Sequence, residues 1–186
     1  MKPIQSACAL LIYCAFLPLA AHAVDDAKPP PGRADSLLNS FEVMCNLETP
    51  DFEKLSAKAA AMRMQVLEDV SETRQAGQSV QRKAWVGTLA TGPFALGTEK
   101  MSGAKGVATS CSIEGPVPDV DAFRKLLINT MHLNNPTEVQ VIEGSHVSYW
   151  DNRPGTGMTV IVRDMERPGG HFVQVKLLNM VGSHAP

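Results

Sequence analysis

The sequence predicts an α+β protein in which two principal helices pack on one face of a mostly antiparallel sheet. Two segments begin like helices, at Thr49-Pro50-Asp51 and at Pro118-Asp119, and apolar residues follow each of them at helical spacing. Short β-prone segments surround these helices and are separated by turns that contain Gly, Pro or Asn. Such turns join neighbouring strands in antiparallel order. A helix-rich start followed by a curved sheet, of cystatin-like or cone-like type, is the alternative.

The first 23 residues have the composition of a cleaved signal peptide. A lysine stands at position 2, a mostly apolar run covers residues 7–20, and small residues flank a histidine in Ala21-His22-Ala23. The run of 14 residues is shorter than the roughly 20 that a membrane span needs. We therefore expect cleavage after Ala23 and export to the periplasm or beyond, with an uncleaved anchor as the alternative.

Cleavage would remove 23 of the 186 residues and leave 163, with 16 Lys+Arg against 19 Asp+Glu. This weakly acidic balance gives no reason to expect nucleic acid or an anionic membrane surface as a partner. Residues 24–35 include Pro29-Pro30-Pro31-Gly32 and are predicted to be a disordered linker. Residues 36–182 are predicted to form a single domain.

The first helix is predicted to have Thr49 as its N-cap, Pro50 at its first position and an apolar stripe from Phe52 to Met62. The preceding segment, residues 37–47, fits both helical spacing and strand alternation, and residues 64–67 either continue the helix or begin a strand. Residues 68–82 are polar and are expected to hold a turn. A second helix is predicted after Asp119. The predicted strands are residues 85–90, 94–101, 107–114, 139–142, 147–150, 158–163 and 171–178.

Two cysteines, Cys45 and Cys111, remain after the predicted cleavage. In an oxidising compartment an even number of thiols predicts a disulfide. Closing a loop of about 65 residues stabilises the fold by about 4 kcal/mol through the unfolded state. Two buried free thiols or a redox pair are the alternatives, although the chain lacks the Cys-x-x-Cys spacing of redox pairs.

The two helix starts resemble each other and suggest an internal duplication. Both run Cys-x-aliphatic-Glu, then Pro-Asp, then Phe-x-Lys-Leu, from Cys45 and from Cys111. Farther on, Met64-Gln-Val-Leu-Glu68 resembles Val139-Gln-Val-Ile-Glu143. A duplicated strand–helix–strands unit would make the segment around Cys45 a strand, and chance similarity is the alternative. The predicted halves are residues 36–104 and 105–182.

The densest polar and aromatic cluster runs from His146 to Arg153. Aromatic rings there are candidate platforms for a ligand, and Asp151 and Arg153 are candidate orienting charges. Strand alternation places Tyr149 and Trp150 on opposite faces, so that one of them is expected in the core. The candidate ligand-binding residues are His146, Tyr149, Trp150, Asp151, Arg153 and His171.

No catalytic motif, metal-ligand spacing or cofactor motif is recognisable in the chain. The segment 102–106 resembles an anion-binding nest, but it lacks the spacing of a phosphate-binding loop, and the sequence favours a plain hairpin turn. We therefore predict a non-enzymatic periplasmic module that binds an unknown protein or small ligand, with no cofactor and no metal. The alternatives are a secreted inhibitor-like protein and a hydrolase-type enzyme with scattered residues. Clustering of three among Cys111, His146, Asp151 and His171 in one pocket would favour the enzyme.

Overall fold

The computed structural model describes residues 34–46, 49–74, 77–89, 92–104, 106–142, 144–151 and 157–182. These residues form an eight-stranded antiparallel sheet with helices packed against it, which confirms a sheet-dominated α+β class. The predicted signal peptide lies outside the described residues. Of the residues predicted to form the linker, only Ala34 and Asp35 are described, and they lie in the first turn of a helix.

Three α-helices and one π-helical turn are described, one α-helix more than the two that the sequence predicts. The helices are α1 (Ala34–Phe41), α2 (Phe52–Ala61) and α3 (Val120–Met131), and the π-helical turn, Glu42–Asn46, directly follows α1. The strands are β1 (Gln65–Thr73), β2 (Ser79–Leu89), β3 (Gly92–Gly103), β4 (Gly106–Pro116), β5 (Glu138–Ile142), β6 (Ser145–Trp150), β7 (Thr159–Arg167) and β8 (Gly170–Gly182).

Aspartates cap the two predicted helices. Asp51 has an extended backbone, and its Oδ1 accepts a hydrogen bond from the backbone N–H of Lys54 at 2.9 Å. Asp119 accepts in the same way from Ala122 at 2.9 Å. The prediction of Thr49 as the cap of α2 is therefore wrong by two residues, because the Asp51 carboxylate satisfies an amide of the first turn and favours the positive end of the helix dipole.

The segment around Cys45 is helical, so the strand that the repeat predicted there is wrong. Its buried side chains follow helical spacing, which lets one continuous helical segment turn a single face towards the sheet. These buried side chains are Leu37, Leu38, Phe41, Met44 and Cys45. α1 and the π-helical turn follow each other without a break and form one helical segment.

The sheet consists of two four-stranded meanders that meet at its centre. Its strand order is β1-β2-β3-β4-β8-β7-β6-β5, and every neighbouring pair is antiparallel. The last strands of the two meanders, β4 and β8, pair in the middle, where Cys111 lies opposite Leu177. The first strands, β1 and β5, are the two edges. An α-helix directly precedes each meander, α2 before β1 and α3 before β5.

The helices cover one face of the sheet. Ile113, Val175 and Leu96 point towards them and are fully buried, as is Phe123 of α3. A Cβ on Gly115 would lie 2.8 Å from Leu37 of α1, so α1 crosses the centre of the sheet at close range. Outward-facing neighbours such as Ser112 and Gln174 are only half-buried, and no described helix covers that side. We call that side the open face.

Candidate functional site

The cysteines form a disulfide, as the sequence predicts. Cys45 and Cys111 are bonded with their Cα atoms 5.4 Å apart, at a separation of 66 positions in the sequence. The bond joins the π-helical turn to the central strand β4. Both residues are buried in the core, so the Cys111 sulfur is a structural crosslink and offers no thiol for nucleophilic chemistry.

The two aromatic candidates lie on opposite faces of β6. Trp150 is 4% exposed, faces the helices and donates a hydrogen bond from its ring Nε1 to the carbonyl oxygen of Asn134 at 2.9 Å. It therefore anchors the segment after α3 to the core. Tyr149 is half-buried on the open face, opposite Ile161 of β7. Of this pair only Tyr149 is placed to contact a partner.

The charged candidates beside them do not form a ligand pocket in the described residues. Asp151 accepts a hydrogen bond from the Thr159 hydroxyl at 3.0 Å. Its backbone N–H donates to the hydroxyl of Thr137 at 3.2 Å. These bonds tie the end of β6 to its neighbours. Arg153 lies outside the described residues.

His146 and His171 both line a broad groove beside the N-terminal turn of α3. The groove has a volume of about 710 Å³ and is open to solvent. Its walls are the start of α3 and the helix-facing ends of β5 to β8, and we call it the α3 groove. The residues that define it here are Asp119, Asp121, Arg124, Val139, His146, Asp164, Glu166 and His171. Two of the four candidate catalytic residues thus meet in one cavity.

The floor of the α3 groove is a polar cluster around Arg124. Its Nη1 donates to the hydroxyl of Ser148 at 2.9 Å, and its Nη2 lies 3.3 Å from Asp164 Oδ2. Within the described structure, Arg124 Nε and Asp164 Oδ1 are buried without hydrogen-bond partners. His146 is the cross-strand neighbour of Asp164. Ser148 is fully buried and already accepts a hydrogen bond from Arg124, so it is not placed as a nucleophile.

The groove is acidic. Its described lining holds four carboxylates, those of Asp119, Asp121, Asp164 and Glu166, against the single guanidinium of Arg124. With neutral histidines this leaves a formal charge of three negative units. Within the described ranges, no group of three or more His, Cys, Asp or Glu is placed to hold a metal ion. The groove is therefore suited to attract a basic group.

The open face has a shallow depression, which is lined by strands β1 to β4 and by β8. Its volume is about 270 Å³, and small side chains form its floor. Gly97 leaves room for the Ser112 side chain on the neighbouring strand, because a Cβ there would lie 2.8 Å from Ser112 Oγ. The floor residues are Ala84, Ala95, Gly97, Ser110 and Ser112.

Charged side chains paired across strands surround this floor. Arg82 of β2 lies 3.5 Å from Glu68 of β1. Lys176 of β8 reaches across β4 to Glu99 of β3 at 3.4 Å. Each pair holds two long side chains at the rim and leaves the floor open.

A second cluster continues the rim towards β7. Glu114 accepts from Gln174 at 3.2 Å and pairs with Arg167 at 2.7 Å. The Arg167 guanidinium lies 5.3 Å from the centre of the Phe172 ring, at cation–π distance. Six strands, β1 to β4, β7 and β8, thus contribute to one ordered polar surface.

The open face was not predicted, although the sequence of β4 contains the signal. In β4, outward Ser110, Ser112 and Glu114 alternate with inward Cys111 and Ile113. The nest-like segment 102–106 joins β3 to β4 as a turn, with Lys105 outside the described residues. The Ser102 hydroxyl shares a hydrogen bond with that of Ser79.

These features define a disulfide-linked α+β protein with one open sheet face and one acidic side groove. Comparisons with protein-family models, curated proteins and solved structures found no match to the chain. None of the described helices has both the length and the apolar character that crossing a membrane requires.

Proposed function

We propose that this is an exported, non-enzymatic binding protein that holds a folded protein partner on its open face. The observation that carries the proposal is the one-sided architecture: the described helices pack on one face, and the other keeps a small-residue depression inside a rim of paired charges. A protruding side chain of the partner would fill this depression. The rim would then contribute charge-assisted hydrogen bonds around it.

The dimensions of the open face suit a protein partner better than a small ligand. Eight strands at about 4.8 Å spacing span about 34 Å, and strands of about ten residues extend roughly as far in the other direction. This exceeds the roughly 800 Å² that each partner buries in a standard interface. The depression alone, about 270 Å³, is smaller than most small-ligand pockets. A secreted inhibitor is the case in which the partner is an enzyme.

Two observations support export and duplication. The Cys45–Cys111 disulfide is expected to persist in an oxidising compartment and not in the cytosol, which supports a cleaved signal peptide over residues 1–23 and a periplasmic or secreted location. The similar segments Met64–Glu68 and Val139–Glu143 each include residues of the first strand of a meander, which supports a duplicated unit.

The test is capture of a partner from the native host with a tagged chain. Ser112→Arg fills the depression and should abolish capture, because a long charged side chain then occupies the partner's place. Ala57→Arg adds the same side chain to an exposed position of α2 and should leave capture unchanged. Urea denaturation must show that both variants remain folded. Capture that survives Ser112→Arg, or that Ala57→Arg abolishes, refutes the proposal.

A further inference from the structure

The two edges of the sheet differ in chemistry. The β1 edge has an irregular register between Val66 and Glu68 and carries Glu68, Asp69 and Glu72. Bulges and charges of this kind discourage pairing with another strand. The β5 edge has a regular register with β6 over all five of its residues, and its sequence after Glu138 is uncharged. Only β5 is therefore suited to accept an additional strand.

Apolar side chains lie exposed along β5 on the side that faces the helices. Val139 is 58% exposed and Val141 is 66% exposed, while Val162 and Val175, farther into the same face, are fully buried. No described helix extends over these two valines. They form a narrow apolar strip between the sheet edge and the α3 groove, and Val139 itself lines the groove.

We propose that the β5 edge binds an extended, basic segment of another polypeptide as a ninth strand. The backbone of that segment would pair with β5. The aliphatic stems of its lysine or arginine side chains would lie on Val139 and Val141, as such stems do on apolar surfaces. Their charged ends would point into the α3 groove, where its carboxylates would attract them.

Charge decides between this occupant and a second copy of the chain. Antiparallel pairing of β5 with the β5 of another copy would place two α3 grooves side by side on the same face. Each groove has four carboxylates and one guanidinium, so the two would repel each other. The strand has only five residues, and a pairing of that length buries much less than the roughly 1,200 Å² of a stable dimer. A basic partner gains from the charge that a second copy would oppose.

The test uses a capped nine-residue peptide of alternating lysine and threonine, observed by NMR on the folded chain from Val24 onwards. Resonances of β5 and of the first turn of α3 should shift together, and binding should weaken as salt is added. An alternating glutamate–threonine peptide should not bind. A lysine–threonine peptide with N-methylated backbone amides should bind at least ten-fold more weakly, because it cannot pair with the edge.

Matched variants locate the site. Val139→Lys should weaken binding at least ten-fold, whereas Val66→Lys, at a valine that is also 58% exposed but on the β1 edge, should leave it unchanged. Asp121→Asn and Glu166→Gln should each weaken binding by about three-fold, as expected for exposed ion pairs. Ser112→Arg, which blocks the open face, should not affect this binding, so failure of one proposal is distinguishable from failure of the other.

Four results would overturn the inference. They are no shift at millimolar peptide, equal binding of the acidic peptide, unchanged binding in Val139→Lys, and a dimer in sedimentation that Val139→Lys dissociates. The last would assign the edge to a second copy. Circular dichroism of each variant must match that of the wild type, which the exposure of Val139 and Val66 leads us to expect.

Discussion

Reduction of the Cys45–Cys111 disulfide should remove about 4 kcal/mol of folding free energy, because it frees a loop of about 66 residues in the unfolded chain. We expect the native contacts of both residues to stay in place, because both belong to the same buried core cluster as their neighbours on the helix and the strand. For a chain of this size, with a urea m-value of about 2 kcal/mol/M, the loss corresponds to a midpoint shift of about 2 M. The m-value itself should rise, because a chain without the crosslink exposes more surface on unfolding.

The assay is urea denaturation of the chain from Val24 onwards, followed by tryptophan fluorescence, with and without reductant. Trp85 and Trp150 are both buried and report on the two halves of the sheet. Cys45→Ala/Cys111→Ala serves as the control, because reductant should leave its midpoint unchanged. A difference below about 1 kcal/mol between oxidised and reduced wild type would refute the unfolded-state argument.

Three further predictions test local features of the fold and surface. Asp119→Ala should cost about 1 kcal/mol in urea denaturation by removing the cap of α3, and Asp119→Ser should restore most of it. Gly97→Ala should cost about 1–3 kcal/mol, and Ser112→Ala in the same chain should recover part of that loss, because it removes the atom that the new Cβ meets. Arg74 holds the pKa of Glu72 below its ordinary value of 4.5, first by a hydrogen bond and then by its charge, so Arg74→Gln should raise that pKa in an NMR titration. Since the folded-state pKa is lowered, any stabilisation from this pair is present above the ordinary pKa of Glu72 and is lost as the pH falls through the folded value.

The predicted strands correspond well to the structure where one side of a strand is buried. In β4 the alternation of Cys111 and Ile113 with outward serines is visible in the sequence, and the strand is where it was predicted. β1 is predicted only in part: residues 64–67 fit either a strand or a continued helix, and residues 68–73 fall in the polar region expected to hold a turn. An edge strand with exposed residues on both sides has no apolar alternation that would reveal it. Around Cys45 the apolar residues fit both a helix and a strand, so the sequence pattern does not decide between them. Packing against the sheet favours the helix that the structure shows.

The candidate sites required the strand order, which local patterns do not contain. The alternation of side chains along a strand is enough to predict that Tyr149 and Trp150 lie on opposite faces of the sheet. The pairing of Glu99 with Lys176 depends instead on β4 and β8 lying side by side, more than 60 residues apart in the chain. The α3 groove depends in the same way on where α3 crosses the second meander. His146 and His171 were predicted as candidates from the sequence, but the four carboxylates that make the groove acidic were not.

The two edge strands correspond to each other in the strand order, but their residues differ in the property that controls pairing. Either edge of an open sheet presents backbone groups that a further strand can use. At β1 an irregular register and three acidic residues oppose such pairing. At β5 the register is regular, two valines are exposed, and the nearby groove is negatively charged. That charge would discourage self-association and attract a basic strand. The proposed selectivity for a basic strand would account for this difference between the edges.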